Sequence, residues 1–297
     1  MIAIDWGTTH LRAYSLTASG EIEARKTTTK GIMAVAPGGF ATVLEEVLAD
    51  WPDQSDEPIL MSGMIGSRQG WVEVPYIECP ARLQDLAGAV KHVPAGKRKS
   101  ALICPGLCCR DRQDVPDVMR GEEVQIFGAL SLHAAASTLN VCLPGTHSKH
   151  AFIRGGRIER FNSHMTGEVF GLLRDHSIIG RLMTKRRASL DAFDAGLRRA
   201  RQPGGLLHHV FGVRTLVLMN DLNAAHLTDY LSGILIGHEL ASAAPELPAL
   251  LIGDPELCAL YQRGLADFGA HADVVSADTA TARGLYDLGS LIAEEAQ

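Results

Sequence analysis

The chain of 297 residues lacks several features that would assign it to specialised protein classes. No segment approaches the ~18 uninterrupted apolar residues of a membrane span, and no basic, then apolar, signal-peptide pattern precedes the first predicted strand. Acidic residues outnumber Lys and Arg by 34 to 28, a net charge of −6 that argues against general nucleic-acid binding. The six cysteines form no C-x-x-C pair. Isolated thiols favour a cytoplasmic protein with reduced core cysteines.

Two hairpin turns that contain Gly-Thr are the most informative features present. The first, residues 5–9 (DWGTT), follows an apolar strand and precedes a strand of alternating polarity. The second, residues 144–149 (PGTHSK), lies between two further predicted strands. An acid at a strand end beside a Gly-Thr turn is suited to hold a metal–phosphate group. Two such turns predict two lobes that bind one nucleotide. The length of the chain agrees, because roughly 150 residues per domain predicts about two domains.

The remaining pattern predicts alternating strands and helices. Apolar residues at helical spacing predict a helix over residues 40–51, and a helix begins at Glu122 with acids in its first turn. Another helix begins at Thr166. A strand over residues 247–252 leads to Gly253 and Asp254, which precede a further helix.

These parts, in this order, resemble the sugar kinase/actin/Hsp70-like ATPase superfamily. Residues 5–9 match its first phosphate motif, residues 143–149 its second, and residues 251–255 its adenosine motif. The helices that begin at Glu122 and near Leu231 match its two interdomain connecting helices. Five motifs together are similar to the 2-keto-3-deoxygalactonokinase family over essentially the whole chain: residues 5–9 (DWGTT), 63–76 (GMIGSRQGWVEVPY), 119–123 (MRGEE), 144–149 (PGTHSK) and 166–168 (TGE).

The resemblance implies an α/β, two-lobed actin-like ATPase (ribonuclease H-like) fold, in which each lobe is a mixed sheet flanked by helices. We expect lobes over residues 1–130 and 139–278, an interdomain ATP cleft, and a final helix over about 279–297 that packs back on the first lobe. The implied reaction transfers the γ-phosphoryl group of ATP, with Mg²⁺, to the C6 hydroxyl of 2-dehydro-3-deoxy-D-galactonate in galactonate catabolism. The partner is then a small sugar acid, with neither nucleic acid nor membrane, and a homodimer is an open alternative for the assembly.

The resemblance also assigns nucleotide-binding and catalytic residues. Asp5 would hold Mg²⁺ directly or through water, and a glycine in each turn would let backbone amides approach phosphate oxygens. Glu122 or Glu123 would accept the proton of the substrate hydroxyl, with Glu122 slightly favoured, while the other assists or caps the helix. The predicted nucleotide-binding residues are Gly7, Thr8, Thr9, Gly145, Thr146, His147, Ser148, Lys149, Gly253 and Asp254.

The second turn departs from the superfamily pattern because Leu143 and Pro144 stand where an acid is usual. The departure makes Asp5 the principal carboxylate near the metal and suggests that residues 146–149 neutralise phosphate directly. His147 and His150 can be read as a metal pair, but no third ligand follows at suitable spacing. We therefore favour histidines that face solvent or phosphate.

A sugar-acid substrate needs a cation for its carboxylate and hydrogen-bonding groups for its hydroxyls. Arg68 and Arg120 are the candidate cations, and Trp71 is a candidate apolar wall. Arg12 is a third cation, although a solvated arginine is the commoner situation in an exposed hairpin. Glu168 either binds substrate hydroxyls or caps its helix.

Other functions fit parts of the pattern. A kinase for a related ketodeoxy or hexonic acid would use the same carboxylate contacts, and a phosphoanhydride hydrolase of the same superfamily would share the first turn. The hydrolase is disfavoured because the second turn lacks its acid. A sugar-sensing regulator would need a helix-turn-helix before the first strand, and a filament or chaperone role would need additional subdomains.

Overall fold

A computed structural model describes residues 1–51, 58–95, 98–133 and 137–295. The chain forms two compact units. Unit 1 comprises Met1–Leu139, Ala151–Asn162 and Val275–Gln297, and unit 2 comprises Asn140–His150 and Ser163–Val274. The short middle segment belongs to unit 1 because Ala81 and Ile158 exchange two backbone hydrogen bonds, of 3.0 and 2.9 Å.

The strands and helices alternate as the sequence predicts. The strands are β1 (Ile2–Trp6), β2 (Leu11–Leu16), β3 (Ile22–Thr28), β4 (Ile59–Ser62), β5 (Ile77–Glu78), β6 (Lys91–Ala95), β7 (Arg98–Ile103), β8 (Leu107–Arg110), β9 (Pro116–Met119), β10 (Thr138–Leu143), β11 (Ser148–Arg154), β12 (Arg157–His164), β13 (Leu250–Gly253) and β14 (Asp273–Ser276). The α-helices are α1 (Phe40–Leu48), α2 (Leu83–Ala87), α3 (Glu122–Leu132), α4 (Thr166–His176), α5 (Leu190–Ala200), α6 (Gly205–Leu218), α7 (Leu227–Ala243), α8 (Pro255–Asp267) and α9 (Ala277–Glu295).

The two larger sheets share the order of their first four strands. The six-stranded sheet of unit 1 runs β3-β2-β1-β4-β7-β6, with β1 antiparallel to β2 and parallel to β4. The five-stranded sheet runs β12-β11-β10-β13-β14, with β10 parallel to β13. The order third–second–first–fourth is therefore common to both sheets, and beyond it the six-stranded sheet continues with its sixth and then its fifth strand. The two Gly-Thr turns lie at equivalent places, after the first strand of each sheet.

Each sheet is covered by helices that pack closely through glycine. A Cβ at Gly128 of α3 would lie 2.0 Å from the Ala280 oxygen of α9, and one at Gly233 of α7 would lie 2.0 Å from the Phe193 oxygen of α5. Any side chain there would force the helix pair apart. The expectation that the helix near Leu231 connects the lobes is wrong. That helix is α7, inside unit 2, and the chain instead returns to unit 1 just before α9.

A small sheet, β5-β8-β9, was not predicted from the sequence. Its strands have two to four residues, too few to show a period. It matters because β9 leads directly into Arg120 and α3. Across the parts of the chain that the structure describes, no helix has the length and hydropathy needed to span a membrane.

Candidate active site

Asp5 lies near the end of β1 and is paired across the strands with Arg12. Its Oδ2 accepts a hydrogen bond from Arg12 Nη1 at 3.0 Å, and its side chain remains 14% exposed. Burial raises the pKa of Asp5 and Arg12 opposes that rise, which leaves the pKa above its ordinary value. Arg12 is thus not simply a solvated arginine, because its guanidinium holds this carboxylate.

Two glycines with positive φ lie against the other oxygen of Asp5. Gly63, at the end of β4, has φ +90°, and a Cβ there would be 3.0 Å from Asp5 Oδ1. Gly121, at the start of α3, has φ +108°, and its Cβ would be 3.2 Å from the Gly63 Cα. Side chains at either position would be strained as well as crowded. The glycine loop and the MRGEE segment, distant in sequence, therefore meet around Asp5.

The first turn is held by backbone contacts and presents its threonines outward. Gly7 N–H donates to the His10 oxygen at 2.8 Å, which closes the turn. Gly31 packs beneath it, where a Cβ would be 2.3 Å from the Thr8 oxygen. Thr8 and Thr9 are exposed. Their hydroxyls and the turn are accessible to a ligand.

The two acids at the start of α3 have different environments. Glu123 is fully buried, and both of its carboxylate oxygens accept the Gly121 N–H, at 2.9 and 2.8 Å. Burial, reinforced by the Glu122 charge, raises the pKa of Glu123 to about 8. Glu122 is only half-buried and accepts the Arg120 N–H at 2.9 Å. Glu123 thus caps the helix, and Glu122 is the more accessible carboxylate.

Arg120 is a buried cation with donors to spare. Its Nη2 donates to the Val74 oxygen at 2.7 Å, and its guanidinium carbon lies 4.3 Å from the centre of the Tyr76 ring. Its Nε and Nη1 are buried without a hydrogen-bond partner among the described residues, as is the hydroxyl of Ser67. A Cβ at Gly66 would be 2.9 Å from Nη1, so the glycine loop lies directly against the guanidinium. Leaving buried donors unpaired is costly.

The surroundings of the other predicted substrate residues on this loop indicate a ligand less clearly than those of Arg120. The Arg68 side chain is 86% exposed and lies 3.4 Å from Glu73. Trp71 is half-buried and stacks on Phe40, with ring centres 6.1 Å apart. One face of Trp71 is therefore used in packing. Ser67 is not among the residues that the sequence analysis predicts for the site, although its place between glycine and arginine in a tight loop is a signal.

In the second turn, only part of the predicted phosphate-binding set is exposed. Gly145 is half-buried and Thr146 and His147 are exposed, but Ser148 and Lys149 are buried at the start of β11. Lys149 Nζ donates to Ser163 Oγ at 2.5 Å, and Ser148 Oγ lies 3.0 Å from Tyr261 Oη. The geometry therefore does not support direct phosphate contact by the Ser148 hydroxyl.

His150 does not face solvent, contrary to the expectation from sequence. Its Nε2 is hydrogen-bonded to Glu239 Oε1 at 2.7 Å, and Cys142 Sγ lies 3.5 Å from the same nitrogen. These three groups lie within 4.8 Å of one another, the spacing of possible metal ligands. Neither Cys142 nor Glu239 could be found from spacing along the chain, because β10 and α7 supply them. The remaining signal was Glu239 itself, a lone acid in the apolar run ILIGHELA.

The TGE motif and the predicted adenosine motif both adjoin this turn. A Cβ at Gly167 would be 2.5 Å from the Gly145 oxygen, and the Glu168 carboxylate is paired with His147. Asp254 caps α8 by accepting the backbone N–H groups of Glu256 and Leu257, at 3.0 and 3.1 Å. Gly253 packs beside the turn, where its Cβ would be 3.5 Å from the Pro144 oxygen. Glu168 and Asp254 thus have structural partners within unit 2.

Comparison with known proteins identifies the family. The model of the 2-keto-3-deoxy-galactonokinase family matches residues 5–288. The chain belongs to this family. A curated member, a probable 2-dehydro-3-deoxygalactonokinase of Rhizobium meliloti (strain 1021), is 37% identical over 95% of this chain and 94% of its own length. The 2-dehydro-3-deoxygalactonokinase of Escherichia coli (strain K12) is 36% identical over 98% of both chains.

Solved structures agree with the family assignment and with the predicted fold. A crystal structure assigned to a 2-dehydro-3-deoxygalactonokinase from Sinorhizobium meliloti has a TM-score of 0.89 at 36% identity, covering 98% of both chains. A more distant structure, the activator of a 2-hydroxyisocaproyl-CoA dehydratase from Clostridium difficile, has a TM-score of 0.54 at 13% identity and shares the fold alone. The α/β fold of the actin-like ATPase class is confirmed.

Proposed function

We propose that this chain transfers the γ-phosphoryl group of ATP to the C6 hydroxyl of 2-dehydro-3-deoxy-D-galactonate, with Mg²⁺. The family and its curated members support this reaction. The structural observation that supports a sugar-acid substrate is the buried Arg120 guanidinium, whose Nε and Nη1, like the Ser67 hydroxyl, have no hydrogen-bond partner among the described residues. These two donors lie on different edges of the planar guanidinium, so one can donate to a substrate carboxylate oxygen and the other to a further oxygen acceptor of the sugar acid.

The arrangement favours Arg120 over Arg68 as the group that binds the substrate carboxylate. Arg120 is fixed by Val74 and Tyr76 and has lost its water. An ionic hydrogen bond there acts in a less polar medium than at the surface. Arg68 would have to be drawn from solvent and away from Glu73.

The first turn fits a nucleotide with a divalent cation. Asp5 Oδ1 is a hard oxygen donor beside two glycines, and the exposed hydroxyls of Thr8 and Thr9 can donate to phosphate. Bound Mg²⁺ would neutralise negative charge on the phosphates. Asp5 would hold the cation, directly or through water, with Arg12 fixing the carboxylate's orientation.

In the proposed transfer the C6 oxygen forms a bond to the γ-phosphorus while the bond to the ADP oxygen breaks. The hydroxyl proton passes to the Glu122 carboxylate, which is the accessible acid at the start of α3. Glu123 holds the helix end and does not contact substrate. In unit 2, the exposed Thr146 and His147 and the backbone of Gly145 are the groups that we assign to phosphate.

A kinetic panel tests this proposal. The purified enzyme is supplied with ATP, Mg²⁺ and one of three acids: 2-dehydro-3-deoxy-D-galactonate, its gluconate-derived epimer or D-galactonate. We expect the highest kcat/KM with the first acid and a 6-phosphorylated product by NMR. Phosphate release at the same rate without any acid would overturn the kinase in favour of a hydrolase.

Two arginine variants test the carboxylate site in the same assay. Arg120→Lys should raise the KM for the acid roughly 10- to 100-fold, because an ammonium cannot replace the planar fork. Arg68→Ala is the matched control from the exposed part of the loop and should change that KM little. A larger effect from Arg68→Ala would move the carboxylate site to the outer loop.

A further inference from the structure

Glu239 is a buried carboxylate that the proposed reaction leaves without a role. It lies on α7, and its side chain is 1% exposed. Three side chains from three other elements point their hydrogen-bonding atoms at it: His150 Nε2 of β11 at 2.7 Å, Tyr261 Oη of α8 at 2.7 Å, and Thr166 Oγ1 of α4. One carboxylate thus joins four separate elements of unit 2.

The side chains that contact Glu239 connect it to the second Gly-Thr turn. Tyr261 Oη is also 3.0 Å from Ser148 Oγ, which accepts the Gly145 N–H at 3.4 Å. Thr166 begins α4, whose next two residues contact the turn. Gly167 packs against Gly145, and the following N–H donates to the Thr146 oxygen at 3.0 Å.

We propose that Glu239 is a positioning residue for the second turn, fixing through Tyr261–Ser148 and through Thr166 the backbone of residues 145–147 for nucleotide phosphate. The inference rests on the proposed function for its ligand. It explains why Ser148, which is predicted to touch phosphate, is buried: Ser148 holds the turn from beneath while Thr146 and His147 face outward.

A carboxylate is the group that this position requires. Burial raises the pKa of Glu239, but the hydrogen bonds and charge of His150, with the bonds from Thr166 and Tyr261, outweigh it and leave the pKa below its ordinary value. An ionised carboxylate has acceptor sites for all three partners, whereas an amide has one acceptor oxygen and two donors. Burying a charge is tolerated only with such compensation.

A metal site is the competing interpretation of the same side chains. Cys142, His150 and Glu239 are within ligand spacing. However, burial and the nearby Glu239 raise the pKa of Cys142 well above its ordinary value, so this side chain is a neutral thiol in the hydrogen-bonded arrangement that the structure shows. Both Glu239 oxygens also already accept hydrogen bonds. We therefore assign the cluster to hydrogen bonding.

The test compares Glu239→Gln with Asp229→Asn, which alters another buried acid of the same helix. Asp229 binds Arg186 and the Ser189 N–H, away from the turn. We expect Glu239→Gln to raise the KM and the calorimetric Kd for ATP by roughly tenfold, the effect of losing one well-placed ionic contact. The KM for the sugar acid should stay near the wild-type value. Asp229→Asn should lower Tm but leave both KM values unchanged.

Tyr261→Phe keeps the inference testable if Glu239→Gln does not fold. It removes only the hydroxyl that links Glu239 to Ser148, and a smaller rise in the Kd for ATP is expected. Equal losses of Tm in Glu239→Gln and Asp229→Asn, with ATP binding unchanged in both, would overturn the positioning role. Stoichiometric zinc in the purified protein, lost in Cys142→Ser, would overturn it in favour of a metal site. Wild-type enzyme that binds ATP but phosphorylates no acid would contradict the proposed function alone.

Discussion

The two Gly-Thr turns occupy equivalent places in two sheets whose first four strands have the same order, but they obtain their carboxylates from different parts of the chain. The first has Asp5 within the turn segment, 14% exposed and paired with a charged Arg12. The second has Leu143 and Pro144 there, both buried, and its acid is Glu239 of α7, 1% exposed. The partly exposed Asp5 can therefore contact a ligand, whereas the buried Glu239 contacts the side chains around it.

The glycines of the two turns support a shared purpose despite this difference. A Cβ at Gly7 would meet only the His10 oxygen, at 3.4 Å, and one at Gly145 would meet nothing within 4 Å. Neither glycine has the positive φ that requires the residue. Packing therefore does not explain either glycine, whereas the phosphate contact proposed above would require a backbone free of side chains.

Replacing the acid of the first turn should have the largest effect. We expect Asp5→Ala to lower kcat roughly 10³-fold or more, because the carboxylate that holds the cation is lost. A coupled assay at saturating ATP and Mg²⁺ measures it, with circular dichroism to verify folding. Asp50→Asn, an exposed acid of unit 1, is the control and should retain activity. Activity of Asp5→Ala within tenfold of that control would contradict the assignment of a ligand-binding carboxylate to the first turn and a structural one to the second.

The sequence allowed the first turn to be interpreted more fully than the second. Asp5, Gly7 and the acids at Glu122 and Glu123 lie within short motifs whose chemistry is legible from neighbouring residues. The strand–turn–strand pattern and the start of α3 were also predicted correctly. Local motifs suffice where ligand-facing groups and their supports are adjacent in the chain.

The second turn could not be interpreted in this way because its supports come from distant segments. Strand β11 alternates, and only the fold shows that Lys149 is buried on one face while Ser148 and His150 are covered on the other. Glu239 and Tyr261 reach that face from α7 and α8. Likewise, Arg120 follows β9 of the small sheet of very short strands, and its contact with Gly66 of the glycine loop is visible only in the fold.

Glu122 and Glu123 sharpen the contrast between ligand-facing and structural carboxylates inside unit 1. We expect Glu122→Gln to lower kcat roughly 10²-fold or more, because the amide cannot accept the hydroxyl proton. Glu123→Gln should remain near wild-type activity at pH 7, since a pKa of about 8 keeps this acid largely protonated and an amide oxygen can still accept the Gly121 N–H. The reverse ranking of the two variants in steady-state kinetics would show that Glu123 is the base.

Alanine at the turn glycines tests whether the two turns serve one nucleotide. Gly7→Ala and Gly145→Ala should each raise the KM for ATP by about tenfold, while Tm stays close to wild type because the added methyl has room. Gly167→Ala is the contrasting variant. Its Cβ would lie 2.5 Å from the Gly145 oxygen, so its Tm should fall. If Gly145→Ala leaves the KM unchanged while Gly7→Ala raises it, only the first turn binds phosphate.

The last prediction, with the smallest expected effect, concerns how the free energy of unfolding depends on pH through Glu123. Its pKa rises on folding from 4.5 to about 8, so the folded chain keeps a proton that the unfolded chain releases. The stabilisation is complete below pH 4.5 and is lost as the pH rises to about 8. The free energy of unfolding, measured in urea, should therefore decline less steeply for Glu123→Gln than for wild type between roughly pH 5 and pH 8. Glu46→Gln, at an exposed acid, should keep the wild-type slope. Parallel slopes for wild type and Glu123→Gln would mean that Glu123 is ionised in the folded protein, which would remove its contrast with Glu239.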